Sequence, residues 1–107
     1  MAVYSLQERI YANACNHGFW EPEQKNFLAK VALAHSELSE VVEAYRKKEG
    51  NKDQHCPKFS NLEIELADTV IRVLDLATGY GFTNLGEAIL AKMDFNEGRE
   101  YLHGKKH

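Results

Sequence analysis

The chain has 107 residues, is 44% hydrophobic and 27% charged, and carries a formal net charge of −3 at pH 7. That length supports one packed core, so a single domain over residues 1–107 is expected, and the composition excludes an intrinsically disordered chain. A mildly acidic balance gives no basic surface for a nucleic-acid polymer, and no apolar run approaches the roughly 18 residues of a membrane span.

The pattern is helical throughout, without the alternation of strands. The opening MAVYSLQERIYANA is charged and has no apolar centre, so no signal peptide is expected. Ser5-Leu-Gln-Glu8 fits a capping box, which predicts a short helix from there to about Asn16, stopped by Gly18. After the connector GFWEP, Pro22 suits the first turn of a long helix reaching about Glu49. Its residues Phe27, Val31, Ala34, Leu38, Val41, Val42 and Tyr45 recur at threes and fours and predict one buried stripe. The polar segment GNKDQHCPKFS reads as a loop, and Ser60-Asn-Leu-Glu63 is a second capping box. The helix it opens runs to about Gly79 and is apolar almost all round, which in so short a chain predicts a partner subunit over one face. A GYGF turn, with Thr83 or Asn84 as cap, starts a last helix through about Gly98. Cys15 and Cys56 have no CxxC spacing, so both are expected as free thiols in a reducing compartment, the cytoplasm. The fold class is therefore all-α: a four-helix bundle, assembled as a dimer or larger.

Two pairs of acids interrupt these helices. Glu37 and Glu40 stand three apart in SELSEVVEAYR, and Glu65 and Asp68 three apart in EIELAD. On a wheel the first pair lies roughly 90–120° from the apolar stripe, alongside Asn26, Lys30, Leu33 and Ala44. If the two helices pack antiparallel, all four carboxylates converge. Converging carboxylates repel one another, and burying one unpaired costs several kcal/mol. A solvated acidic face is the plain alternative for any single pair. A divalent cation would relieve the repulsion, and oxygen-only ligands select Mg²⁺ or Mn²⁺ over Zn²⁺. A carboxylate di-iron site would need Glu-x-x-His on two helices, and the chain has none.

The paired acids, together with HSELSEVVEAYR, LEIELADTVIRVLDLA and KMDFNEGREYLHGKKH, resemble the MazG-type all-α nucleoside triphosphate pyrophosphohydrolases. The likeness spans roughly residues 17 to 107. It implies a MazG-like four-helix core that forms a dimer or tetramer with active sites near subunit interfaces. It also implies Mg²⁺-dependent hydrolysis of a nucleoside triphosphate between the α and β phosphates, giving a monophosphate and pyrophosphate. Carried over, Glu37, Glu40, Glu65 and Asp68 become the metal ligands, one of them or a neighbour also orienting the attacking water. Glu43 points further round the helix and is expected to be solvated. Within that superfamily the activity would be house-cleaning of noncanonical nucleotides; phosphoribosyl-ATP pyrophosphohydrolase is the rival enzyme, and a non-catalytic helical interaction module the rival outside enzymes.

Something basic must hold the pyrophosphate. Lys92, Asn96 and Arg99 share one face of the last helix, and Tyr101 and Lys105 follow in the tail, where positive charge also caps a helix C-terminus. Lys30 and Asn26 share the carboxylate stripe and are candidates for phosphate or base contact, with plain pairing to nearby acids the alternative for Lys30. Trp20 could stack on a nucleobase or staple the start of the long helix to the core. Arg72, one turn past Asp68, is expected to pair with that carboxylate.

Overall fold

The computed structural model describes residues 2–47 and 52–99. Among them are four α-helices and no strand: α1 (Ala2–Asn16), α2 (Phe27–Lys47), α3 (Asn61–Gly79) and α4 (Leu85–Glu97). α3 is the centre of the fold, with α2 packed on one side and α1 on another, while α4 rests on α1. No helix among the described residues is long and apolar enough to cross a membrane.

Local chemistry explains most of the helix ends. α1 and α3 stop in the same way. Gly18 and Gly81 both adopt φ of 83°, and the residue after each reaches back five positions: Phe19 N–H to the Ala14 carbonyl at 3.1 Å, Phe82 N–H to the Ala77 carbonyl at 2.7 Å. Such a turn needs the left-handed conformation that glycine adopts without penalty. α3 opens with the capping box expected: the Ser60 hydroxyl accepts from the Glu63 N–H, and the Glu63 carboxylate accepts from the Ser60 N–H.

Two predicted starts move. α1 begins at Ala2, so Ser5 lies inside the helix and does not cap it. The inward stripe Gln7, Ile10, Tyr11, Ala14 extends back to Val3, and a cap at Ser5 would cut it off. Pro22 opens a single 3₁₀ turn, Pro22–Gln24, instead of the long helix. α2 starts at Phe27, where the Asn26 side chain accepts from the Ala29 N–H at 2.9 Å, a stronger start signal than proline alone.

The interior contains several polar groups. Trp20 is its central ring, 7% exposed, tilted against Tyr11 at 5.5 Å and meeting Tyr80 edge-on at 5.6 Å. Its six-membered ring lies directly on Gly79, where any Cβ would fall 2.1 Å from the indole. Gln7 is fully buried and donates to Thr78 Oγ1 at 3.0 Å and to the Phe82 carbonyl at 3.1 Å, tying α1 to the end of α3. Lys30 and Asp75 are buried beside Trp20.

α2 is turned about a quarter of the way round from its apolar pattern. The stripe predicted to be core is open: Phe27, Val31, Leu38, Val42 and Tyr45 are all exposed, Tyr45 by 72%. The face against α3 is the mixed one beside it, with Lys30 buried and Leu33, Glu37 and Ala44 half-buried, joined by Ala34 and Val41 from the edge of the predicted stripe. α3 likewise leaves Leu66, Val70, Ile71 and Val73 exposed. Periodicity identifies the most apolar face of a helix but not whether the same chain covers it.

Candidate functional site

The acids sit where α2 and α3 face each other. Glu37 comes from the middle of α2, Glu65 and Asp68 from successive turns of α3. One carboxylate oxygen of each lies within 4.8 Å of the others, and all three side chains are half-buried. Glu40, one turn further along α2, is exposed and stands outside this group of three, though its charge still acts on Glu65. The expected set of four is thus a tight trio with a fourth acid at its edge.

The trio is short of positive charge. Burial pushes the Glu65 carboxyl above its ordinary value of 4.5, and the charges of Asp68, Glu40, Glu37 and Asp53 push the same way. Arg72 is the nearby cation, but it does not pair with Asp68 as its spacing predicts. Its Nε lies 3.6 Å from Glu37 Oε1, reaching across to α2. Its guanidinium also lies 4.7 Å over the Phe19 ring. The inter-helix partner wins because Arg72 is clamped between Phe19 and the α2 face, which aims it away from its own helix. Glu43 is solvated as expected, 4.0 Å from Lys47.

A sequence reading misses Asp53. It belongs to the polar loop before α3, and its Oδ2 accepts from the His55 and Cys56 N–H groups at 2.8 and 2.7 Å. With Lys52, His55, Cys56, Glu65 and Asp68 it lines a cleft of about 630 Å³ on one side of the trio. A second cleft, about 760 Å³, lies between α1 and α3 on the other side and is bounded by Arg9, Asn13, Phe19, Asp68, Arg72 and Asp75 among others. Asp68 borders both. Nothing in the loop sequence marks Asp53, since an Asp in a turn ordinarily serves only the turn.

The other candidates divide. Lys30 is not among the acids: its ammonium donates to the Phe19 carbonyl and sits 4.4 Å over the Trp20 ring. Burial lowers its pKa, and the charge of Asp75 opposes that shift. Trp20 donates from Nε1 to Asp75 Oδ1 at 2.9 Å and, being buried, presents no open face to a base. Asn26 is occupied as the α2 cap. On α4, Lys92 and Arg99 flank the exposed Phe95 ring at 4.7 and 5.2 Å, and Asn96 carries a buried Oδ1 with no hydrogen-bond partner. α4 packs mainly on α1, away from the α2–α3 face. Tyr101 and Lys105 lie outside the described residues.

Asp75 is a second residue that carries more than its spacing suggests. Burial raises its carboxyl above the ordinary 3.8, while the Trp20 N–H and the charges of Lys30 and Arg72 oppose the shift. A lone acid inside VLDLA, seven positions past Asp68 and so on the same helix face, is the signal that could have found it.

No family model matches the chain, and no curated protein or solved structure is significantly similar to it.

Proposed function

We propose that the protein is a Mg²⁺-dependent nucleoside triphosphate pyrophosphohydrolase that cleaves a (d)NTP between the α and β phosphates, in the manner of the MazG-type enzymes its sequence resembles. The observation that carries this reading is the trio Glu37, Glu65 and Asp68, gathered within 4.8 Å from two helices and facing a single arginine. Three half-buried carboxylates, of which Glu37 is paired with Arg72, leave a strong negative field in a medium less polar than water. Their oxygens fit a hard divalent ion, with Glu40 beside them as a further ligand.

When bound, Mg²⁺ would neutralise the triphosphate and polarise its phosphorus toward water. The chain's own groups then divide the remaining work. Glu37, Glu65 and Asp68 hold the ion, and Arg72 holds Glu37 in place from across the helix gap. One of these acids, or Glu40 beside them, orients and deprotonates the attacking water. Phosphate contacts fall to Lys92, Asn96 and Arg99. Since α4 points away from the trio of its own chain and α2 and α3 expose their apolar stripes, these residues would serve a site completed by a second copy, in a homodimer or homotetramer.

The test is pyrophosphate release across a panel of dNTPs, NTPs and phosphoribosyl-ATP, with and without Mg²⁺, on the wild type and on Glu65→Gln. Metal-dependent release that the variant loses supports the reading, and the preferred nucleotide identifies the pocket. Absence of release from every member, phosphoribosyl-ATP included, would leave a helical interaction module instead.

A further inference from the structure

The cleft between α1 and α3 has a chemistry of its own. Asp68, Arg72 and Asp75 follow one another along one face of α3, and all three line it. At about 1.5 Å per residue, Asp75 stands roughly 10 Å along the helix from Asp68. That is about the span from a nucleotide's α-phosphate to the far edge of its base. The cleft's volume, about 760 Å³, lies in the range of small-molecule sites, and its lining mixes apolar Leu6, Ile10 and Ile71 with a few polar groups. Between the two acids the Arg72 guanidinium lies on the Phe19 ring at 4.7 Å, a flat edge of the sort on which bases stack.

At the far end the Asp75 side chain is 96% buried, and its position is fixed by the bond from Trp20 Nε1 to Oδ1. That is the carboxylate's one hydrogen bond among the described residues, so its remaining lone pairs are available to the cleft it lines. Burial works against its charge, while the Trp20 N–H and the charges of Lys30 and Arg72, neither in a direct ion pair with it, favour the carboxylate anion. An anionic oxygen held this way accepts hydrogen bonds and offers none.

We propose that Asp75 is the base-selecting residue of this cleft, accepting a hydrogen bond from an exocyclic amino group, so that the protein prefers a nucleotide with cytosine or adenine over the carbonyl counterpart with uracil or hypoxanthine. This rests on the triphosphate reading above. A carbonyl at the same position sets lone pair against lone pair, and a buried site built for one hydrogen-bond partner rejects the analogue lacking it strongly.

The experiment compares kcat/KM for the pairs dCTP against dUTP and dATP against dITP, which differ at the amino position. In the wild type, the amino member of at least one pair is favoured by about tenfold or more. Asp75→Asn keeps an oxygen for Trp20 and turns a donor toward the cleft, so it shrinks or inverts that ratio; Glu65→Gln lowers both members alike. Circular dichroism melts check that Asp75→Asn folds, and the wild-type ratios stand without it. Equal or carbonyl-favouring ratios in the wild type, or an unchanged ratio in folded Asp75→Asn, overturn the role of Asp75 while leaving the hydrolase reading in place. Absence of cleavage of all four nucleotides overturns both.

Discussion

Two clusters of charge lie on α3, about two turns apart, and they are balanced differently. Around Asp75 the charges are matched: one buried carboxylate has the Trp20 N–H, the buried Lys30 and the nearby Arg72. Around Asp68 they are not: Glu37, Glu65 and Asp68 crowd within 4.8 Å, Glu40 and Asp53 add to the field, and among the described residues the trio's one ion pair is that of Arg72 with Glu37. In the first cluster the chain supplies the balancing charge itself, its lysine held by a carbonyl and two aromatic rings. The second asks for a cation from outside. Buried charge stabilises nothing by itself; what matters is whether the chain supplies the partner.

Breaking the matched cluster should cost the fold. Trp20→Ala removes the ring that covers Gly79 and Tyr80 and leaves Asp75 without its donor, so we expect a loss of about 3–5 kcal/mol in chemical denaturation. Breaking the unmatched cluster should instead cost function. Glu65→Gln is expected to lower metal-dependent pyrophosphate release by about 100-fold, or ~2.7 kcal/mol at 1.36 kcal/mol per tenfold. The same variant should melt no lower than the wild type without metal, since it removes a repelling charge. Equal losses of stability in the two variants would erase the contrast between the clusters.

The smallest effect is a pH slope. The folded-state pKa of Glu65 lies above its ordinary value of 4.5, so in that window the folded protein binds a proton that the unfolded chain has released. Stability without metal should therefore fall as pH rises from about 4.5 through the folded pKa, and level off above it. Asp75 adds a slope of the same sign from 3.8 upward. In thermal melts Glu65→Gln should flatten the first component and leave the second. A wild-type melting temperature that climbs across this window would contradict the sign.

Much of this was legible in the sequence. The capping box at Ser60 and the stop at Gly18 depend on a few neighbouring residues, and they fall where local chemistry puts them; α4 starts after Asn84 as expected, although the Asn84 side chain makes no capping bond. The three-residue spacing of the acids sets Glu65 beside Asp68, and Glu37 meets them across the helix gap. What was not legible depends on distant partners. The wheel of α2 ranks its apolar stripe as core, yet within one chain that stripe is open and the Glu37 face is inward. The sequence leaves Lys30 and Trp20 open between ligand contact and a structural role because their partners, the Phe19 carbonyl and Asp75, lie 11 and 55 residues away. Arg72 has an acid at the right spacing on its own helix and takes one on another.

The most direct test of the central claim is a titration with Mn²⁺ followed by electron paramagnetic resonance, which reads free and bound ion without requiring turnover. The ion is expected to bind the wild type stoichiometrically, to be displaced by Mg²⁺, and to bind at least tenfold more weakly to both Glu65→Gln and Asp68→Asn. Mn²⁺ that stays free with the wild type, or binds equally well to the two variants, would contradict it.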